Sequence, residues 1–274
     1  MIKIYDLSIP TEDSPSEPQP VKVEHKAHNS SLPLIELVFD AKKEDMADGL
    51  GWADDAVSLS AHSGTHVDAP WHYSPLSENK KAKIIDEMPL DWFFHDGVVL
   101  DFRDKPQGTG ISIDDIQNAL IKIGYTLKPW DIVLIQTGAD KLWGKQEYFM
   151  VGCGMTEEST LWLIEHGCRV MGIDAWGWDR PFNAIKEEFG RTHDKSILWT
   201  AHKAGIKKEY CHIEKLANLD TLPKPFGFKV ACFPIKLAKR SAGWARVVAM
   251  YENENLLIYD IGRKFISNNI IDAT

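Results

Sequence analysis

Between His62 and His72 the chain reads His-Ser-Gly-Thr-His-Val-Asp-Ala-Pro-Trp-His, three histidines and one aspartate within eleven residues. Imidazole nitrogens and carboxylate oxygens are the ligands that borderline divalent ions such as zinc and manganese accept. The preceding Val57-Ser-Leu-Ser-Ala61 alternates apolar and polar residues, the pattern of a strand with one buried face. Continued at period two, His62, His66, Asp68 and His72 share one parity and project from one side. Gly64 and Pro70 argue against a regular helix through the segment. A strand that bends at Gly64 and stops near Pro70 brings the four side chains around one point. The segment is therefore read as a strand ending at a metal-ligating cluster.

With 274 residues, 44% hydrophobic and 26% charged, the chain can bury a core without disulfides and is read as a single domain over 1–274. Cys153, Cys168, Cys211 and Cys232 include no CxxC pair, which fits a reduced, cytoplasmic protein. A net charge of −9 with no basic stripe disfavours nucleic acid, because phosphate neutralisation supplies most of such affinity. No apolar run approaches the roughly 20 residues of a membrane span, and the N-terminus lacks the apolar core of a signal peptide.

Residues 1–9 are predicted as a strand closed by Pro10, 11–20 as a Pro/Ser/Glu loop, 32–39 as a strand and 40–55 as a surface excursion. Strands are also predicted over 97–102, 131–137 and 169–174. Ser112 caps a helix over 113–123, with Asp115 at its third position and Gly124 ending it. Thr156 caps another, with Glu157 and Glu158 in its first turn and Gly167 at its end. The last third is strand-rich, over 229–236 and 246–251. Helices between apolar strands make the chain α/β.

The His62–His72 segment resembles the HxGTHxDxPxH motif of the cyclase-like metal-dependent hydrolases, a family that includes bacterial kynurenine formamidases and isatin hydrolases. Further resemblance lies in Asp6-Leu-Ser8, Leu134-Ile-Gln-Thr-Gly138, His202, Glu214-Lys-Leu-Ala-Asn-Leu219 and Arg246-Val-Val-Ala249. It implies a swivelling β/β/α architecture, a mixed-strand barrel-like core with flanking helices. It also implies one or two divalent ions per chain, with His62, His66 and Asp68 as first ligands. Asp68 would bridge to a second ion held by His202 and Glu214, and His72 would be the general acid/base. The family tends to form dimers or tetramers, so a homodimer or homotetramer is expected.

Elementary chemistry agrees with that division. A carboxylate has two oxygens and can bridge two cations, whereas a neutral imidazole has one lone pair. His72, with an ordinary pKa of about 6.5, can move protons near neutrality. The expected reaction is hydrolysis of an amide, formamide or lactone in a small-molecule substrate. Metal-assisted cyclisation or dehydration, and non-catalytic metal or ligand binding, are the competing classes; a proton-shuttling His72 speaks against pure binding. His212 shares the strand parity of Glu214 and is a rival ligand. His25, His28, His95, His166 and His193 are read as structural or surface residues.

Ten tryptophans are many for this length. Trp71, Trp176 and Trp178 are expected to line a pocket for a flat cyclic or aromatic substrate. Asp174 and Asp179 are weaker candidates for positioning groups, and Arg246 for a structural ion pair. The 176–200 segment and an extended C-terminus depart from the small kynurenine formamidases and would reshape the pocket mouth or the subunit interface.

Overall fold

Strands that are apolar at every position need cover on both faces of their sheet. A computed structural model, which describes residues 1–252, supplies that cover; the extended C-terminus lies outside the described residues. Nine strands form one mixed sheet. In chain order they are β1 (Ile2–Asp6), β2 (His66–Asp68), β3 (Phe94–Asp101), β4 (Ile132–Gln136) and β5 (Val170–Ile173). They continue as β6 (Cys211–Glu214), β7 (Phe226–Ala231), β8 (Ala242–Trp244) and β9 (Val248–Glu252). Their spatial order is β1-β9-β7-β3-β4-β5-β6-β2-β8. The central four, β3 to β6, run parallel, and the strands on either side pair antiparallel. The sheet curls into a half-barrel flanked by helices, as the resemblance implies.

The helices are α1 (Leu32–Phe39), α2 (Pro70–Tyr73), α3 (Ile113–Ile123), α4 (Glu157–Glu165), α5 (Phe182–Thr192) and α6 (Thr200–Lys207). The last four lie in the crossovers between parallel strands. Alternation within the strands divides the core. Val98, Leu100, Val133, Ile135, Met171 and Ile173 pack toward the helices. Val99, Ile132, Leu134 and Val170 pack against Val67, Phe228, Val230 and Ala249 on the other face. The predicted cap of α3 is present: Ser112 Oγ accepts from Asp115 N at 3.2 Å, and Gly124 adopts φ +66°. No helix of the described residues is long and apolar enough to cross a membrane.

Three local expectations fail, one of them in the predicted 229–236 strand, where β7 already ends at Ala231. Residues 32–39 form α1, not a strand, with Pro33 in its first turn and Asp40 left-handed at its end. A short apolar run carries no period that separates helix from strand, and proline suits a first helical turn. Nor is 57–72 one continuous strand. Ala56–Ser58 pairs with Lys22–Glu24 in a separate ribbon, β2 begins only at His66, and His72 lies on α2.

Candidate metal centre

β2 lies between β6 and β8, and its register decides what it faces. Asp68 pairs with His212, and His66 with Glu214. Cross-strand partners project to the same face, so two imidazoles and two carboxylates converge. His62 enters from the turn before β2, where Gly64 takes φ +63° and accepts His66 Nδ1 on its carbonyl at 2.9 Å. Pro70 starts the single turn of α2, which returns His72 to within 3.7 Å of Asp68 Oδ2. α6 supplies His202, whose Nδ1 lies 2.5 Å from Asp179 Oδ2; the same carboxylate accepts the backbone N–H groups of Ala201 and His202. With Nδ1 held there, Nε2 faces the cluster.

The donor atoms form two overlapping sets that share Asp68. One is Asp68, His202, His212 and Glu214, all buried; the other is His62, Asp68 and His72. His62 Nδ1 stands 2.8 Å from Asp68 Oδ1, and His212 Nε2 3.1 Å from Oδ2 and 3.2 Å from Glu214 Oε1. His66 Nε2 lies 3.3 Å from Asp68 and 3.6 Å from Glu214, and His202 Nε2 lies 3.5 Å from Glu214. The histidines and carboxylates read from the sequence as ligands or acid/base, His62, His66, Asp68, His72, His202 and Glu214, therefore meet at one place, and the rival His212 joins them.

Burial raises the cost of charge on Asp68, but the rings of His72, His66 and His62 outweigh it and hold the carboxyl well below its usual range. Burial and Asp68 push Glu214 up, yet His212 and His202 hold it down at about 2. Burial pushes His212 down, while the two carboxylates lift it to about 9. The paired carboxylates thus draw positive charge from whatever is adjacent. Both oxygens of Asp68 are nevertheless buried without a well-aligned hydrogen-bond partner. An orphaned buried carboxylate among imidazoles fits a divalent cation, which would supply the charge that the rings otherwise provide as protons.

A cavity of about 230 Å³ opens onto this cluster. His72, His202 and Glu214 form its polar end, and Trp176, Phe182 and Trp199 its aromatic wall. Trp176 is where the sequence reading expects it. Trp178 is not: it is fully buried, stacked on the His212 ring at 5.3 Å, and it donates its backbone N–H to Glu214. It supports the cluster from beneath. Trp71 is 41% exposed and lies outside the cavity wall. Trp71 neighbours His72 in the chain, but the helical turn that starts at Pro70 carries His72 to Asp68 and leaves Trp71 exposed. No local pattern marks Trp199 or Glu17, and Lys215 enters the sequence reading only as part of the Glu214–Leu219 resemblance. Asp179 is a positioning group, whereas Asp174 caps the Thr137–Gly138 turn. Arg246 forms an exposed pair with Asp6.

Gly154 ties this arrangement to the core. A Cβ there would overlap the backbone of Asp179 and Arg180, which cannot swing aside. Gly154→Ala is expected to destabilise the fold by about 1–3 kcal/mol and, by displacing the Asp179–His202 contact, to weaken metal binding. Thermal unfolding and metal titration together check this; a variant matching the parent in both would remove Asp179 from the site.

The Cyclase family model, described as "Putative cyclase", matches residues 5–180. A kynurenine formamidase of Erythrobacter litoralis (strain HTCC2594) is 24% identical over 192 residues, covering 70% of this chain and 74% of the relative. An isatin hydrolase bound to the product analogue thioisatinate superposes with a TM-score of 0.71 at 19% identity, covering 92% of this chain and 93% of that one. Isatin hydrolase A from Ralstonia solanacearum gives 0.71 at 21% identity, covering 92% of each chain.

Proposed function

The chain belongs to the Cyclase family, and from that premise we propose that it is a metal-dependent hydrolase of an amide, formamide or lactone in a small cyclic or aromatic substrate. The observation that carries the proposal is Asp68: a buried carboxylate with no well-aligned hydrogen bond on either oxygen, ringed by imidazoles, behind the His72 and His202 end of an aromatic cavity. His62, His66, Asp68, His202 and Glu214 would hold zinc or manganese, one or two ions per chain, with His212 as a further donor. Such an ion lowers the pKa of a water to about 7 and polarises a carbonyl.

The chain's own residues supply the rest. His72 stands between cavity and carboxylates, its ring packed at 5.3 Å from Trp199. Neutral His72 would take the proton of the attacking water and return it to the leaving nitrogen or oxygen. Trp176 and Phe182, edge to face at 5.0 Å, form an aromatic wall that favours an apolar, ring-bearing substrate. Apolar cover also limits the water that competes for the site.

The test is a hydrolysis screen of zinc- and manganese-loaded protein over N-formyl anilines, isatins, lactones and carbamates, with chelated protein as control. Turnover of at least one carbonyl class, abolished by chelation and restored by metal, is expected. Metal-loaded protein that converts hydroxy-acid substrates by dehydration while leaving all four classes intact would replace hydrolysis with the dehydratase reading.

A further inference from the structure

Lys215 is an unusual place for a lysine. It follows Glu214 directly, is only 2% exposed, and takes a left-handed backbone at φ +59°. That conformation costs an ordinary L-residue on the order of 1 kcal/mol and suits Gly or Asn. Burying a charged pair is itself no more stabilising than an apolar filling of the same volume. Neither the backbone nor the core therefore accounts for lysine here; what its side chain touches does.

The ammonium has three protons and three acceptors. It donates to both oxygens of Glu17, at 2.9 and 2.7 Å, and to the carbonyl of His62 at 2.9 Å. Glu17 Oε1 in turn accepts the N–H of Gly64 at 2.7 Å, so the pair grips the His62–Gly64 turn at two points. Nζ also stands 5.1 Å from the centre of the Trp176 ring, within cation–π range. The backbone carbonyl of Lys215 accepts Thr65 Oγ1 at 2.5 Å. Glu17, Pro18 and Gln19 meanwhile form part of the cavity wall. With every ammonium proton committed, Lys215 has none to give a substrate.

We propose that Lys215 is a positioning residue. Through its buried pair with Glu17 it clamps His62 in the metal centre, seats Trp176 in the cavity wall and fastens the Glu17–Gln19 segment into that wall. One ammonium thus sets both a ligand and the substrate wall. The inference rests on the metal-dependent reading of the site, but its test needs no substrate.

The full-length double variant Glu17→Gln/Lys215→Met removes both charges, so no lone buried ion confounds folding. Zn²⁺ is titrated against a chromogenic chelator, with tryptophan emission and thermal unfolding recorded on the same samples. The double variant is expected to unfold close to the parent temperature, bind Zn²⁺ about 10–100-fold more weakly, and show altered tryptophan emission. Glu17→Asp alone, which keeps the charge pair but shortens its reach by one methylene, should weaken binding less and serves if the double variant does not fold. Parental Zn²⁺ affinity in the double variant, or in Glu17→Asp should the double variant not fold, would overturn the clamp. Parent protein that binds Zn²⁺ yet turns nothing over would sink the hydrolase reading alone; parent protein that takes up no Zn²⁺ overturns both.

Discussion

Asp68→Asn should leave a folded protein that no longer retains a divalent ion. Both donor sets contain Asp68, one through Oδ1 with His62 and the other through Oδ2 with His212. The amide keeps the shape but gives up the negative charge and one of two acceptor oxygens. Removing one member of a buried, charge-paired group costs about 3–5 kcal/mol, roughly 10²- to 10⁴-fold in affinity. His66→Ala should lose most of the metal too, by a smaller factor, since it deletes one donor and no charge. Metal analysis after dialysis, with circular dichroism to confirm folding, gives the answer. If Asp68→Asn dialyses with the parental metal content, the centre lies elsewhere.

His72→Ala separates two roles that geometry alone leaves together, because His72 Nε2 is near enough to Asp68 to ligate. As general acid/base it should keep metal content near the parent's while kcat falls about 10²- to 10⁴-fold; as a ligand it should lose metal in proportion. The pH profile adds a second reading. Burial pushes the His72 imidazole down to about 4, with the neighbouring His62 and His202 rings pressing the same way against the pull of Asp68. A group that must be neutral to accept a proton is competent above its pKa and fails as pH falls through it. The acid limb that belongs to His72 should therefore lie well below pH 6.5 and disappear in His72→Ala. An acid limb that moves with added metal concentration belongs instead to protons competing for the ligands, His212 foremost, since its carboxylate neighbours lift it to about 9. Full turnover by His72→Ala would end the acid/base assignment.

Where sequence reasoning succeeded, the signal was local. Ser112 with Asp115 and Gly124 marked both ends of α3 because capping involves backbone within one turn. The unbroken apolar stretches Ile132–Ile135 and Val170–Ile173 became the buried β4 and β5 because a strand covered on both faces has no polar side. Where it failed, the deciding contact was distant. The 32–39 run had no period to read, and Trp71 and Trp178 were assigned by nearness along the chain.

The chain by itself supplies the local inventory of the site: one carboxylate and three imidazoles within one short segment whose Gly64 and Pro70 forbid a through-going helix. The resemblance extended that set to His202 and Glu214. Tertiary structure alone decided the arrangement. The β2–β6 register brings residues 66 and 68 against 214 and 212, more than 140 residues away. That register also made His212 a member, with Trp178 beneath it. Asp179 turns His202 inward, and the Glu17–Lys215 pair grips His62 from the opposite end of the chain. The physical reason is that ligand chemistry belongs to residue type and is written locally, whereas ligand geometry depends on which strands pair and which buried charges find partners. Those are settled only when the whole sheet closes.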